Sequence, residues 1–234
     1  MTLTGFLPIV LFVGFIIFMF KFGIEQSKKK LAELRRVAPL IGFTVNNNRY
    51  GLNQCNEVPP DLLIDHFKVT PLGKEFDLKK VKICDVLEKK EGELTSYLFF
   101  YIHSAGGSSK ISTRHQVACF IDPEFNLPYF RLQRKTSAQR LENIFGVKNV
   151  EVTKNPVFSK NYFLRAEDEG AVRKIFNSEV ISFFEKNFGI RVEGSKNSLL
   201  FYRSQVMVKP QDLPSFYKEA KGVYDLFSKV AQAS

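Results

Sequence analysis

Three histidines, His66, His103 and His115, are the side chains of this 234-residue sequence best suited to proton transfer near neutral pH. No H-x-x-x-H or E-x-x-H pair occurs among them, so no helix face carries two ligands or a ligand beside a base. Cys55, Cys84 and Cys119 are too few and too scattered for a Cys-rich zinc site or a disulfide framework, and they fit a reducing compartment. Cys84 and Cys119 each fall inside an apolar strand pattern, where cysteine serves as a small hydrophobe. His103 precedes Ala105-Gly106-Gly107-Ser108, which has a slight likeness to oxyanion loops, but no G-x-S-x-G elbow occurs and the serines suit a hairpin tip better. The stretch Gly106 to Lys110 lacks the spacing of a phosphate-binding loop. Glu167, Asp168 and Glu169 cluster at a helix start, where capping and the helix dipole give carboxylates a sufficient task. Phe176, Phe183, Phe184 and Phe188 could line an apolar-ligand pocket, although their spacing is what a core-facing helix requires. No catalytic residue, metal site or cofactor is expected.

Lys+Arg 34 against Asp+Glu 24 gives a net charge of +10, and its distribution is uneven. Met1 to Phe20 contains no charged side chain, and the run from Phe6 to Phe20 is dominated by Leu, Ile, Phe and Val. Extended to Ile24, the apolar stretch approaches the ~20 residues that cross a bilayer core, so residues 1–24 are expected to form a transmembrane anchor. Basic residues follow this run and none precede it, which argues against a cleaved signal peptide. The same bias places the N-terminus outside and the body on the cytoplasmic side of the cell (inner) membrane. Residues 25–41 read as a basic juxtamembrane helix. Its cations, with Lys21 just before it, are candidate contacts for anionic lipid head groups of the bilayer: Lys21, Lys28, Lys29, Lys30, Arg35 and Arg36. After them the body carries only +6, and no groove-binding or base-stacking motif points to nucleic acid.

The body, residues 42–234, with sub-halves at 42–146 and 147–234, has the composition of a packed domain: 44% hydrophobic with 24 Phe and no Trp. Strands are expected at Lys80–Leu87, Leu94–His103, Lys110–Ile121 and Pro128–Gln133, the second and third joined across Gly106-Gly107 as a hairpin. A short helical turn is expected after Pro59-Pro60 and another helix over Ser137–Phe145. Tyr162–Arg165 reads as a strand, followed by a helix with Val172, Ile175, Phe176, Val180, Phe183 and Phe184 at helical spacing and a break at Asn177-Ser178. Ile190–Glu193, Ser198–Arg203 and Gln205–Val208 follow as strands, and a last helix begins near Asp212. The expected class is α+β: one N-terminal transmembrane helix, then an antiparallel sheet and two long C-terminal amphipathic helices.

Asn126-Leu127-Pro128-Tyr129-Phe130-Arg131-Leu132, the block from Asn155 to Phe176, Val192-Glu193-Gly194, Leu199 to Arg203 and Val208-Lys209-Pro210 together resemble an uncharacterised bacterial family of single-pass membrane proteins. The resemblance runs from about residue 80 to residue 227. It implies a membrane-tethered α+β domain and brings no catalytic residues with it. The reading drawn from all this is a non-enzymatic, membrane-anchored binding or scaffold module for a protein partner. The alternative is a lipid- or apolar-ligand-handling protein, or an enzyme, with a pocket in the Phe-rich domain.

Overall fold

The computed structural model describes residues 7–45, 60–75, 81–104, 112–135, 148–150, 152, 155–204 and 206–232, and every structural statement below concerns these. Helix α1, Leu7–Val37, leads into a 3-10 turn at Ala38–Ile41 that ends on Gly42. Nine strands follow among the described residues: β1 Thr44–Val45, β2 Val81–Glu91, β3 Leu94–Ser104, β4 Ser112–Ile121, β5 Leu127–Arg134, β6 Lys148–Asn149, β7 Tyr162–Ala166, β8 Ile190–Lys196 and β9 Ser198–Ser204. Helices α2 Asp61–Val69 and α3 Pro71–Glu75 precede β2, α4 Pro156–Asn161 precedes β7, α5 Glu169–Ile175 and α6 Ser178–Lys186 precede β8, and α7 Leu213–Gln232 ends the chain.

All nine strands join one antiparallel sheet in the order β1-β2-β3-β4-β9-β8-β5-β7-β6. The pairing of β4 with β9, and of β5 with β7 and β8, stitches together the stretches on either side of residue 146. The β2–β3 hairpin closes through Gly92 at φ +62°, a left-handed conformation that glycine adopts without a Cβ penalty.

Strand alternation gives the sheet two buried faces. One carries Ala118, Phe120, Phe130, Leu132, Leu164, Val192, Leu199 and Phe201 against α5, α6, α7 and the end of α1. Its centre is aromatic: Phe227 stacks on Phe130 at 5.5 Å, and Phe130 meets Phe176 edge-on at 5.1 Å. Gly194 makes this possible, since a Cβ there would lie 2.2 Å from the Phe130 ring. The other face packs Tyr97, Phe99, Tyr101, Val117, Cys119, Leu200 and Tyr202 under Leu63 and Phe67 of α2 and Leu72 of α3.

The anchor expected over residues 1–24 is corrected: among the described residues, no helix is long and apolar enough to cross a membrane. The physical reason lies in α1, which continues unbroken past residue 24. After Phe20 the helix is highly charged, and its last turns dock on the sheet. Leu34, Val37 and Ala38 are buried in the core, and Lys30 pairs with Asp85 of β2. The fold class with its transmembrane helix, and the single-pass cell-membrane placement that followed from it, therefore give way to an antiparallel sheet covered by helices.

The long C-terminal helix pattern resolves into two short helices, because Asn177 accepts the Glu179 and Val180 N–H groups and starts α6 afresh. The strand expected at Gln205–Val208 is irregular over Val206–Val208. The helix expected over 137–145 and the Gly106-Gly107 hairpin tip lie outside the described residues. Cys84 is disulfide-bonded, its partner lying outside the described residues, so the reading of Cys84 as a simple buried hydrophobe is revised. Cys119 is a free, buried thiol.

Candidate functional site

Between the β6–β7 edge and helices α5 and α6 lies a cleft of about 330 Å³. Val150, Leu164, Phe176 and Ile181 supply apolar walls, and Asn155, Arg173 and Ser178 supply polar atoms. Each wall comes from an element whose other duties fix its position. Leu164 sits in β7, where its carbonyl accepts the Val150 N–H at 2.7 Å and so holds the strand end beside it. Phe176 is the C-cap of α5 and packs on Phe130 and Phe227, while Ile181 lies one turn into α6. Arg173, in the last turn of α5, is exposed and donates from Nε to Glu169 at 3.0 Å. The volume is at the lower end of the ~300–1,000 Å³ usual for small-molecule sites, and apolar and polar groups share the exposed lining about equally.

A second concentration of chemistry lies on the opposite sheet face and is closed. Glu193 of β8 is 0% exposed; its carboxylate accepts from Arg131 Nε at 2.7 Å, from the Tyr202 hydroxyl at 2.7 Å and from the Leu72 backbone N–H at 2.6 Å. Burial pushes the Tyr202 hydroxyl well above its ordinary value, so it stays a proton donor to Glu193. His115 lies between Tyr101, at a tilt, and Tyr202, edge-on, and burial first, then the positive charge of Arg191, lowers its pKa to about 4. It is neutral at pH 7 and its Nδ1 has no hydrogen-bond partner. A buried carboxylate satisfied on both oxygens, facing a closed core, is a structural network.

The residues singled out from the sequence fall in several places. Lys21, Lys28, Lys29, Arg35 and Arg36 are exposed along α1, with Lys29 paired to Glu25 at 3.4 Å. Lys30 is instead turned inward, held by Asp85 with its ammonium 4.3 Å from the Phe100 ring centre. Its helical phase is shared with Leu34. His66 Nδ1 lies 2.7 Å from the Ser198 hydroxyl and ties α2 to β9. The hairpin register sets His103 opposite Thr113 and His115 opposite Tyr101, so the two histidines do not face each other. No group of three or more potential metal-ligating side chains occurs among the described residues. Burial pushes the Cys119 thiol up to about 12, far from a nucleophile's range. Asp168 caps α5 by accepting the Ala171 N–H at 2.9 Å, the capping task expected of the acidic cluster. Phe176 and Phe184 are core residues, Phe183 is half-buried and Phe188 is exposed. Sequence reasoning missed Glu193, Arg131, Arg173 and the cleft itself.

No family model matches the chain, and no curated protein matches it in sequence. Among solved structures, the fold is similar to that of the mycobacterial trehalose monomycolate transport factor A, TtfA: TM-score 0.56 at 10% identity, over 85% of this chain and 92% of that one. At that identity the likeness is one of fold.

Proposed function

We propose that the domain binds an apolar, lipid-like ligand in the cleft between the β6–β7 edge and helices α5 and α6. The observation that carries this reading is the cleft's chemistry: apolar walls from Val150, Leu164, Phe176 and Ile181, with polar groups in the same lining. The neighbour of like fold is named a trehalose monomycolate transport factor, which lends support to a lipid-related role. The test is titration of the full-length protein with a long-chain fluorescent probe whose emission rises in apolar surroundings. Ser178→Trp should abolish binding, because Ser178 is an exposed first-turn residue of α6 that lines the cleft, and a large ring there fills it without touching the core. Unchanged probe binding in that variant would count against the cleft.

A second reading, an assembly module for a protein partner, is favoured by α1. Phe12 is 64% exposed and Phe20 70%, with Phe15, Phe18 and Phe22 exposed between and beyond them. Contiguous apolar surface of this kind marks an interaction site. Cross-linking in cells followed by purification of the full chain, and of a chain with Phe15 and Phe18 changed to Ser, checks it: a stoichiometric partner lost in the variant supports it, and equal recovery contradicts it.

A further inference from the structure

We infer that the cleft's ligand is a single-chain amphiphile with an anionic head, carboxylate or phosphate, whose charge is met by Arg173; this rests on the apolar-ligand reading above. A volume of about 330 Å³ holds on the order of ten chain atoms at roughly 30 Å³ each, the share of liquid volume taken by one water. That is room for one tail, and a two-chain lipid would leave its second chain in water. The polar part of the lining is uneven in kind. Among the described residues of the lining, Arg173 is the charged side chain, and Ser178 and Asn155 add neutral groups without a carboxylate among them.

The guanidinium of Arg173 is held by Glu169, one helical turn earlier. Both side chains are nearly half exposed, at 45% and 48%, and a solvent-exposed i,i+4 pair on a helix surface is weak. An incoming head group therefore competes with Glu169 for the guanidinium. What replaces it is a two-point contact, since the planar guanidinium fork matches a carboxylate or phosphate edge. The tail lies along Val150, Leu164, Phe176 and Ile181, and the anion stays at the wet rim, where its desolvation is partial. Glu169 thus acts as a resident competitor for the guanidinium fork.

The experiment is competition against the same fluorescent probe by dodecanoate, dodecyl phosphate and dodecanol, each below its micelle-forming concentration, on the full-length protein and on Arg173→Gln and Glu169→Gln. Both anions should displace the probe about tenfold more strongly than the alcohol. Arg173→Gln should erase that preference while leaving the alcohol unchanged, and Glu169→Gln should widen it. Phosphate binding more tightly than carboxylate, or the reverse, identifies the head group. If dodecanol competes as well as dodecanoate, and Arg173→Gln changes nothing, the anionic head is refuted while the apolar-ligand reading stands. If none of the three competes, both fall together.

Discussion

On the face covered by α5 to α7, Phe130, Phe176, Phe184 and Phe227 meet ring to ring, whereas under α2 and α3 the equally deep positions include Glu193, Arg131, Tyr202 and His115. The first arrangement draws its stability from apolar area and tolerates modest repacking, because dispersion and water exclusion carry little direction. The second gains little net energy from its charges, whose desolvation offsets their attraction, but its bonds are directional. Glu193 fixes one strand and one helix at once, through Arg131 of β5 across the ladder and the Leu72 N–H of α3. One face supplies bulk stability, and the other fixes which atoms sit opposite which.

The contrast is broken most severely by truncation on either side. Phe227→Ala should destabilise the protein by about 3–5 kcal/mol in chemical denaturation, with no dependence on pH, since it leaves a cavity among three aromatic rings. Glu193→Ala should cost a similar ~3–5 kcal/mol by stranding the buried Arg131 guanidinium. The double change Glu193→Met with Arg131→Met should recover most of that loss, whereas no second truncation rescues Phe227→Ala. Next comes His115. Its folded pKa of about 4 lies below its ordinary 6.5, so between those values the unfolded chain takes up a proton that the folded chain refuses. Stability should therefore be fully present above pH 6.5 and fall as pH drops toward 4, by on the order of 3 kcal/mol. His115→Phe should flatten that part of the stability-pH curve, and an unchanged slope would remove His115 from the account.

Smaller effects test the joints between the two faces. Gly194→Ala should cost about 1–3 kcal/mol, because its new methyl meets the buried Phe130 ring, which has no room to retreat. Asn177→Ala, which removes the cap of α6, should cost about 1 kcal/mol and fray the helix that supplies Ile181 to the cleft, readable as faster amide exchange over its first turn.

What the sequence made legible is mostly local. The alternation in Leu94–His103 and Tyr162–Arg165 and the interruption at Asn177 each depend on neighbours within a few residues, and each appears in the structure, whereas the helical recurrence of Val172, Phe176 and Val180 spans two short helices and not one long one. The cleft was not legible, because Val150, Leu164, Arg173 and Ile181 come from four separate elements whose meeting depends on strand order. Glu193 looks like an ordinary strand residue until β5 is known to lie beside β8, 62 positions away in sequence from Arg131. The apolar N-terminal run misled for a related reason. Hydropathy registers the uncharged stretch of α1, but not the docking of its later turns through Lys30, Leu34 and Val37.

The β2–β3 register, which shifts between Cys84 and Leu87, has a consequence for how copies of this molecule behave when crowded together. Among the described residues, that strand is covered on its outer side only where Thr44 and Val45 pair with Glu88 and Leu87, which leaves the stretch from Val81 as a sheet margin. A straight margin of this length would template a strand from another chain. Here the register slips between Cys84 and Leu87, and Asp85 turns to φ +54° and engages Lys30, so the ladder cannot be copied in register past that point. The exposed charge of Lys82 guards the remainder, and the same kink that seats α1 serves as a stop against fibre growth.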